Sequence, residues 1–266
     1  MEFTDYRLVD QIALALERGN LTVLDQIERH SISSLGPMIE VRSLERRNPV
    51  AGKLLSLSSA SGVSDAVAGA LAQPLHLMYG EDDEEHWAAC GFAPAEEEEW
   101  RECLHRFQLQ VHQALWGHRR AIAAKGRICG AVGEIVDNIF DHSGAPETGI
   151  VALWGRKGRL EISIGDAGVG ILASLRSNPK FAYLGDAGTA MAEALRDGNS
   201  RYGPKLDRGY GFGTLFRALN SLDAKLRFRS GDYALEIAGR SPEVRNPRIS
   251  QKAELRGFVV GIEIAL

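Results

Sequence analysis

The chain has 266 residues, of which 44% are hydrophobic, 25% charged and 7% aromatic, and its formal net charge is −4. This composition is ordinary for a globular protein and excludes a disordered chain, a collagen-like fibre and a small disulfide-knot scaffold. The length suits one large domain or two modest ones. Because positive charge is not in excess, the composition gives no signal for direct nucleic-acid binding.

Cysteine content and hydropathy bear on the compartment. The three cysteines, Cys90, Cys103 and Cys129, are sparse and have no CxxC spacing. Such a set is typical of a reducing compartment and does not indicate structural zinc. The N-terminus has no basic segment followed by an apolar one, and no apolar run approaches the roughly 20 residues that span a bilayer. We therefore expect a cytoplasmic protein with no membrane contact.

In the first part of the chain, apolar spacing and glycine or proline stops predict two helices and two strands. The helices are expected within residues 1–20 and 64–77, and the second helix is expected to end at Pro74. The strands are expected at residues 38–41 and 53–59. No chemical motif stands out among these elements.

Two acidic runs follow, at residues 81–85 and 96–99. Runs of this kind are typical of a solvated boundary and of a helix N-terminus, where carboxylates complement the macrodipole. We expect the segment between them, residues 86–95, to separate two units. These are a small N-terminal α/β region, 1–90, of unknown role and suited to partner or sensor contacts, and a larger domain, 91–266.

The larger domain is predicted to begin with two helices, at residues 96–116 and 119–142. Two hairpins and a final strand follow, at residues 149–154 with 159–165, 225–230 with 233–239 (joined at Gly231-Asp232), and 257–266. This order predicts an α/β chain of the α+β type, a two-layer sandwich. Its sheet is expected to be mixed but mainly antiparallel, with helices on one face.

The first of three chemical motifs lies on the second predicted helix, in the sequence Glu134-Ile-Val-Asp-Asn138. Spacing of four residues puts Glu134 and Asn138 on one helix face. A carboxylate and a carboxamide arranged in this way can polarise a water molecule and hold Mg²⁺, which prefers oxygen ligands. Alone, such a pair is more often the polar stripe of an amphipathic helix.

The second and third motifs are glycine turns. Asp166, Gly168 and Gly170 directly follow a strand, so the backbone can approach a ligand closely while the carboxylate accepts a hydrogen bond. An Asx turn is the alternative for this segment. A run of alternate glycines at 209–213 precedes a helical pattern and leaves backbone N–H groups to face an anion. Neither a dinucleotide-binding GxGxxG after a strand nor a P-loop is present.

Together and in this order, the three motifs resemble the N-box, G1 box and G2 box of the GHKL superfamily. That is the Bergerat-fold class of ATP-binding domains shared by DNA gyrase, the ninety-kilodalton heat-shock chaperone, histidine kinases, MutL and bacterial anti-sigma serine kinases. The resemblance covers residues 96–266. Residues 172–208, rich in Gly, Ala, Ser, Asp and Arg, correspond to the mobile lid that the family carries over its nucleotide.

The resemblance implies ATP and Mg²⁺ as ligands and a role for each matching residue. Asn138 would ligate Mg²⁺, with Glu134 beside it as metal neighbour and catalytic base, and Asp166 would accept a hydrogen bond from the adenine amino group. The other matches would shape the adenine turn or surround the phosphates: Gly168, Gly170, Gly209, Gly211, Gly213 and Thr214. Phosphate contacts are also expected from Asp141 and His142 and from three residues of the lid segment, which is otherwise a solvated loop: Ser200, Arg201 and Arg208.

The chain departs from the family in two respects. The helical histidines His105 and His118 lack the sequence context of a phospho-accepting histidine, so neither is expected to have that role. In addition, the last predicted strand coincides with the end of the sequence. We therefore do not expect the second domain with which gyrase-type and chaperone-type members supply a lysine to the γ-phosphate.

These observations favour a Mg-ATP-binding regulatory protein that phosphorylates a protein partner or switches it by nucleotide-dependent binding, with homodimerisation as in related regulatory members. An ATP-hydrolysing conformational clamp is one alternative. Another is a non-catalytic nucleotide-binding interaction module in which residues 1–90 bind the partner. A last alternative is an α/β protein whose glycine turns only resemble a nucleotide site.

Overall fold

The computed structural model describes residues 4–20, 33–46, 48, 62–82, 84–94, 96–116, 118–195, 224–238 and 247–266. The α-helices in these ranges are α1 (Thr4–Glu17), α2 (Leu35–Glu45), α3 (Gly62–Ala72), α4 (Glu97–Ala114), α5 (Arg119–His142), α6 (Gly170–Arg176) and α7 (Ala187–Ala194). The strands are β1 (Met78–Glu81), β2 (Glu85–Gly91), β3 (Ile150–Arg156), β4 (Arg159–Asp166), β5 (Ala224–Ala238) and β6 (Arg248–Ala265). None of the described helices combines the length and the apolar character that a membrane crossing requires.

The six strands form one sheet in the order β1-β2-β3-β4-β6-β5. Every described pairing is antiparallel. Because side chains alternate along a strand, β3 sends Val151 and Leu153 to one hydrophobic core and Ala152 and Trp154 to another. The α+β class predicted from the sequence is confirmed.

The first face of the sheet is covered by helices α4 to α7, which form the helix layer expected from the sequence. Its core contains Phe107 of α4 and Ile135 and Ile139 of α5, all fully buried, against Ile162 and Ile164 of β4. The apolar stripe of α5 thus turns toward the sheet. Its polar edge, with Glu134 and Asn138 half-buried, is left at the side of the layer.

The opposite face is covered by the N-terminal helices α1, α2 and α3, which bring in Ile12, Ile39 and Val67. The sheet continues through the expected domain boundary, because β2 pairs with β3 over its whole length, residues 85–91 against 150–156. The residues on the two sides of position 90 therefore share one sheet, and the N-terminal helices form its third layer.

Buried ion pairs fix the N-terminal layer to the sheet. Arg227 Nε of β5 donates to Glu40 Oε1 of α2 at 2.8 Å, and Arg229 Nη1 donates to Asp10 Oδ1 of α1 at 2.7 Å. Glu161 of β4 accepts the backbone N–H of Leu35, at the start of α2, at 2.6 Å. Burial raises the pKa of Glu161 to about 7, although Arg159 opposes the shift.

Several local predictions are confirmed. Helices occupy the expected parts of residues 1–20 and 64–77, and the two long helices begin and end close to the predicted limits. Strands β3 and β4 pair as the predicted hairpin.

Three local predictions are wrong. Residues 38–41 lie in α2, not in a strand, because apolar residues three and four apart face the sheet and override the β-branched side chains. Gly231-Asp232 does not turn the chain: β5 continues through a register shift, with Gly231 at a φ of +58°. Residues 86–91, expected to lie in the segment 86–95 that separates two units, belong to strand β2. The strand expected at 53–59 lies outside the described residues.

The final strand is longer than predicted. It begins at Arg248, nine residues before the expected start at Gly257, and pairs with both β4 and β5. The strand passes through Gly257, which has a φ of +74°.

Replacing Glu40 tests the buried ion pairs. We expect Glu40→Ala to lower the free energy of unfolding by about 3–5 kcal/mol, because it leaves two buried guanidinium groups without this carboxylate. Urea denaturation followed by circular dichroism measures the loss. Glu45→Ala on the same helix removes only a partly exposed pair with Arg42 and should cost about 1 kcal/mol or less. Equal losses in the two variants would contradict the account.

Candidate nucleotide site

The candidate site is built where β4 ends beside the last turn of α5. Strand alternation puts Asp166 on the same face as Ile162 and Ile164, so its carboxylate lies on the side of the α4–α7 layer. Only 3% of Asp166 is exposed. Its Oδ1 accepts the N–H of Gly168 at 2.7 Å, while its buried Oδ2 has no hydrogen-bond partner in the described part of the chain.

The environment of Asp166 changes its protonation. Burial raises its pKa to about 7, against the opposing effects of the Gly168 N–H and of the Arg46 guanidinium. A hydrogen-bond donor that reached Oδ2 would favour the ionised carboxylate and lower this pKa. A buried carboxylate with one unused oxygen and a strongly shifted pKa is typical of a ligand site.

The turn after Asp166 is packed against the end of α5. Val169 N–H donates to the carbonyl oxygen of Ser143 at 2.9 Å, and Ala167 N–H donates to Thr148 Oγ1 at 2.8 Å. A Cβ added at Gly168 would lie 2.1 Å from the Ser143 carbonyl oxygen. Glycine at position 168 is therefore required by the close approach of the two backbones.

The other side of the turn is held by the β5–β6 pair. Ser230 Oγ accepts the N–H of Ile171 at 3.0 Å and donates to the Gly257 carbonyl oxygen at 2.6 Å. Gly170 has a φ of +74°, and a Cβ there would lie 2.8 Å from Ser230 Oγ. The backbone around Asp166 is thus fixed from both sides before any ligand arrives.

Helix α5 brings the first motif to the same end of the fold. Glu134 and Asn138 are half-buried on one edge of the helix, and Asn138 lies five residues before Ser143, which contacts the turn. At about 1.5 Å of rise per residue, this separation is roughly 7.5 Å along the helix axis. The last turn of α5 adds Asp141, which is exposed, and His142, which is half-buried. The turn after Asp166 therefore contacts the C-terminal end of the helix that carries the first motif.

The third motif and the residues expected to contact phosphate from the lid lie outside the described residues. This holds for Ser200, Arg201, Arg208, Gly209, Gly211, Gly213 and Thr214. Of the expected lid, the described part forms α6, which begins at Gly170, and α7, which is capped by Asp186 and packs on β5.

The donor set suits magnesium only in part. Across the described residues, no group of three or more His, Cys, Asp or Glu side chains is placed to hold a metal ion. Glu134 and Asn138 offer one carboxylate and one carboxamide. Mg²⁺ in nucleotide sites commonly takes one or two protein ligands and completes its shell with phosphate oxygens and water, so this pair fits Mg²⁺ brought in with a phosphate ligand.

Sequence reasoning missed the residues that hold the turn: Ser143, Thr148, Ser230 and Gly257. Only the Ser-Gly pairs at 143–144 and 230–231 offered a signal, since small polar residues beside glycine often accompany close backbone contacts. Comparisons of the chain with protein-family models, with curated proteins and with solved structures found no match. The functional argument therefore depends on the geometry of the residues themselves.

Replacing Asp166 by asparagine tests the buried charge. The folded-state pKa lies above the unfolded value, so the folded protein binds a proton that the unfolded chain has lost, and wild-type stability falls as pH rises toward 7. Asp166→Asn cannot titrate. We expect its stability relative to wild type to increase by about 2–3 kcal/mol between pH 5 and pH 8, measured by urea denaturation at both pH values. If the difference in unfolding free energy between Asp166→Asn and wild type is the same at both pH values, the raised pKa of Asp166 is contradicted.

Proposed function

We propose that this protein binds Mg-ATP at Asp166 and the polar edge of α5, and that it is a regulatory protein of the GHKL kind. The observation that carries the proposal is the buried Oδ2 of Asp166, which has no partner in the described part of the chain. The amino group of adenine is a hydrogen-bond donor of the kind that this oxygen lacks. Val169, 55% exposed on the same turn, offers an apolar surface to a planar ring.

The same oxygen gives selectivity between purines. Guanine carries a carbonyl where adenine carries its amino group, so it would face an ionised carboxylate with another acceptor. A site built to accept one hydrogen bond rejects a ligand that leaves its buried group unpaired. We therefore expect adenine nucleotides to be preferred over guanine nucleotides.

Phosphoryl transfer to a protein partner is the proposed reaction. The γ-phosphoryl group moves from ATP to a nucleophile of the partner, ADP leaves, and the proton of an attacking hydroxyl passes to Glu134. Bound Mg²⁺ would neutralise phosphate charge, with Asn138 and Glu134 as its protein ligands. An ATP-hydrolysing clamp would use the same residues with water as the nucleophile, and a non-catalytic module would only retain the nucleotide. Because ATP is a cytoplasmic metabolite, the proposal includes a cytoplasmic location.

Calorimetric titration with a non-hydrolysable ATP analogue and Mg²⁺ tests binding. We expect measurable affinity for the ATP analogue, at least tenfold weaker affinity for the GTP analogue, and a loss of about tenfold or more in Asp166→Asn. Wild-type affinity should fall about tenfold from pH 8 to pH 6, because only the ionised carboxylate accepts the adenine hydrogen bond. Asp65→Asn, an exposed aspartate on α3, is the control and should bind like wild type. If Asp166→Asn binds the ATP analogue as tightly as wild type does, the proposed site is refuted.

Replacing Glu134 separates binding from turnover. If Glu134 is the base, Glu134→Ala should retain the ATP analogue within about threefold while ADP release from ATP falls about a hundredfold or more. A coupled assay for ADP, with and without candidate protein partners, gives the rate. Turnover equal to wild type would remove the catalytic role, and an absence of turnover in both proteins would favour the interaction module.

A further inference from the structure

Two of the three cysteines are joined where the N-terminal part of the sheet meets the helix layer. Cys90 of β2 and Cys103 of α4 form a disulfide, and both are buried, at 0% and 3% exposure. Cys129 of α5 is free and half-buried. The odd number and wide spacing of the cysteines indicated a reducing compartment and gave no sign of this pair, because the contact exists only once α4 packs on β2.

An aromatic cluster connects residues near this disulfide to helix α5, which carries Asn138. Trp100, one helical turn before Cys103, stacks on Phe140 with ring centroids 4.2 Å apart and planes at 13°. Phe92, two residues after Cys90, meets the same ring edge-on at 5.2 Å. Phe140 follows the N-box Asn138 by two residues on α5. Each half of the disulfide is therefore close in sequence to a residue that touches the last turns of α5.

A second contact links the same segments. Arg101 Nη1 of α4 lies 3.4 Å from Asp137 Oδ1, which is next to Asn138. The first two turns of α4 thus reach the N-box turn through one stacked ring and one ion pair. The disulfide closes a separation of 13 residues and ties these turns of α4 to the sheet.

We propose that the Cys90–Cys103 disulfide is a reversible redox switch that sets the nucleotide affinity of the site at Asp166 and Asn138. The proposal rests on the nucleotide-binding function given above. When the start of α4 opens locally, a thiolate of a dithiol reductant reaches and attacks one of the two sulfurs. The S–S bond breaks, and a mixed disulfide forms while the other cysteine leaves as a thiolate and takes a proton. The second thiol of the reductant then releases the first cysteine. Two electrons and two protons pass to the protein, and the reductant becomes a disulfide.

Reduction frees the N-terminal turns of α4 from β2 without removing the apolar residues of the core. Trp100 then loses its fixed position over Phe140, and the turn of α5 that carries Asn138 becomes less rigid. A site that must be ordered on binding has lower affinity, so the oxidised protein binds nucleotide more tightly. By reciprocity, bound nucleotide shifts the thiol–disulfide equilibrium of this pair toward the disulfide.

The test uses the full chain, either oxidised with glutathione disulfide or reduced with dithiothreitol. Alkylation with iodoacetamide and mass spectrometry counts free thiols, hydrogen exchange follows the peptides of α4 and the end of α5, and calorimetry with the Mg²⁺ complex of an ATP analogue gives the affinity. We expect one free thiol in the oxidised form and three in the reduced form. Reduction should also accelerate exchange at both segments, lower the melting temperature by about 5 °C and weaken affinity about threefold or more.

Matched variants separate the pair from the third cysteine. Cys129→Ser should keep the full redox response, whereas Cys90→Ser should bind like reduced wild type under both conditions. Because Cys90→Ser could fail to fold, the comparison of oxidised and reduced wild type stands without it. Three free thiols after oxidation, or equal exchange in the two redox states, would overturn the proposal. If the analogue binds, equal measured affinity in the two redox states would also overturn it.

The two proposals fail in different ways. If the ATP analogue binds in neither redox state, the proposed function is wrong, and the switch is then decided by thiol counts and exchange alone. Faster exchange at α4 and at the end of α5 after reduction would support a redox-controlled helix layer. Unchanged exchange would overturn it.

Discussion

Strand β4 imposes the constraint on which both halves of the molecule depend. Its alternation sends Ile162 and Ile164 into the core under α4 and α5 and ends on Asp166 on that same side, while Glu161 faces the N-terminal layer and holds the start of α2 through Leu35. A shift of one residue would exchange the two faces. One eight-residue strand therefore both anchors the third layer and positions the buried carboxylate of the candidate site.

The candidate site is costly to build, and the rest of the fold compensates for that cost. Burial disfavours the charge on Asp166, and glycines at 168 and 170 are required where backbones meet too closely for a Cβ. Locally unfavourable features of this kind are typical of ligand sites, and they persist only where the surrounding structure is rigid. Here the rigidity comes from Ser143 on one side and Ser230 on the other, with the broad sheet and its two cores behind them.

The sequence was informative where a signal is local. Periodicity predicted α5, and the order of strand, aspartate and glycines predicted a tight turn at Asp166, because both depend on neighbours in the chain. The bulge at Gly231 was mistaken for a hairpin turn, since glycine permits either and only pairing with β6 decides between them. Ser143 and Ser230 hold the turn after Asp166, and Cys90 forms a disulfide with Cys103. These contacts join residues that are distant in sequence, so one amino-acid sequence without a structure does not reveal them.

The most direct test of the central claim is the ionisation of the Asp166 carboxyl, followed by its ¹³C chemical shift as pH is varied, with and without a non-hydrolysable ATP analogue. The account predicts a pKa of about 7 in the free protein, because the carboxylate is buried with one oxygen lacking a partner in the described part of the chain. It predicts a clear fall when the adenine amino group supplies that hydrogen bond. A pKa near 4 in the free protein, or one that saturating nucleotide leaves unchanged, would contradict the account.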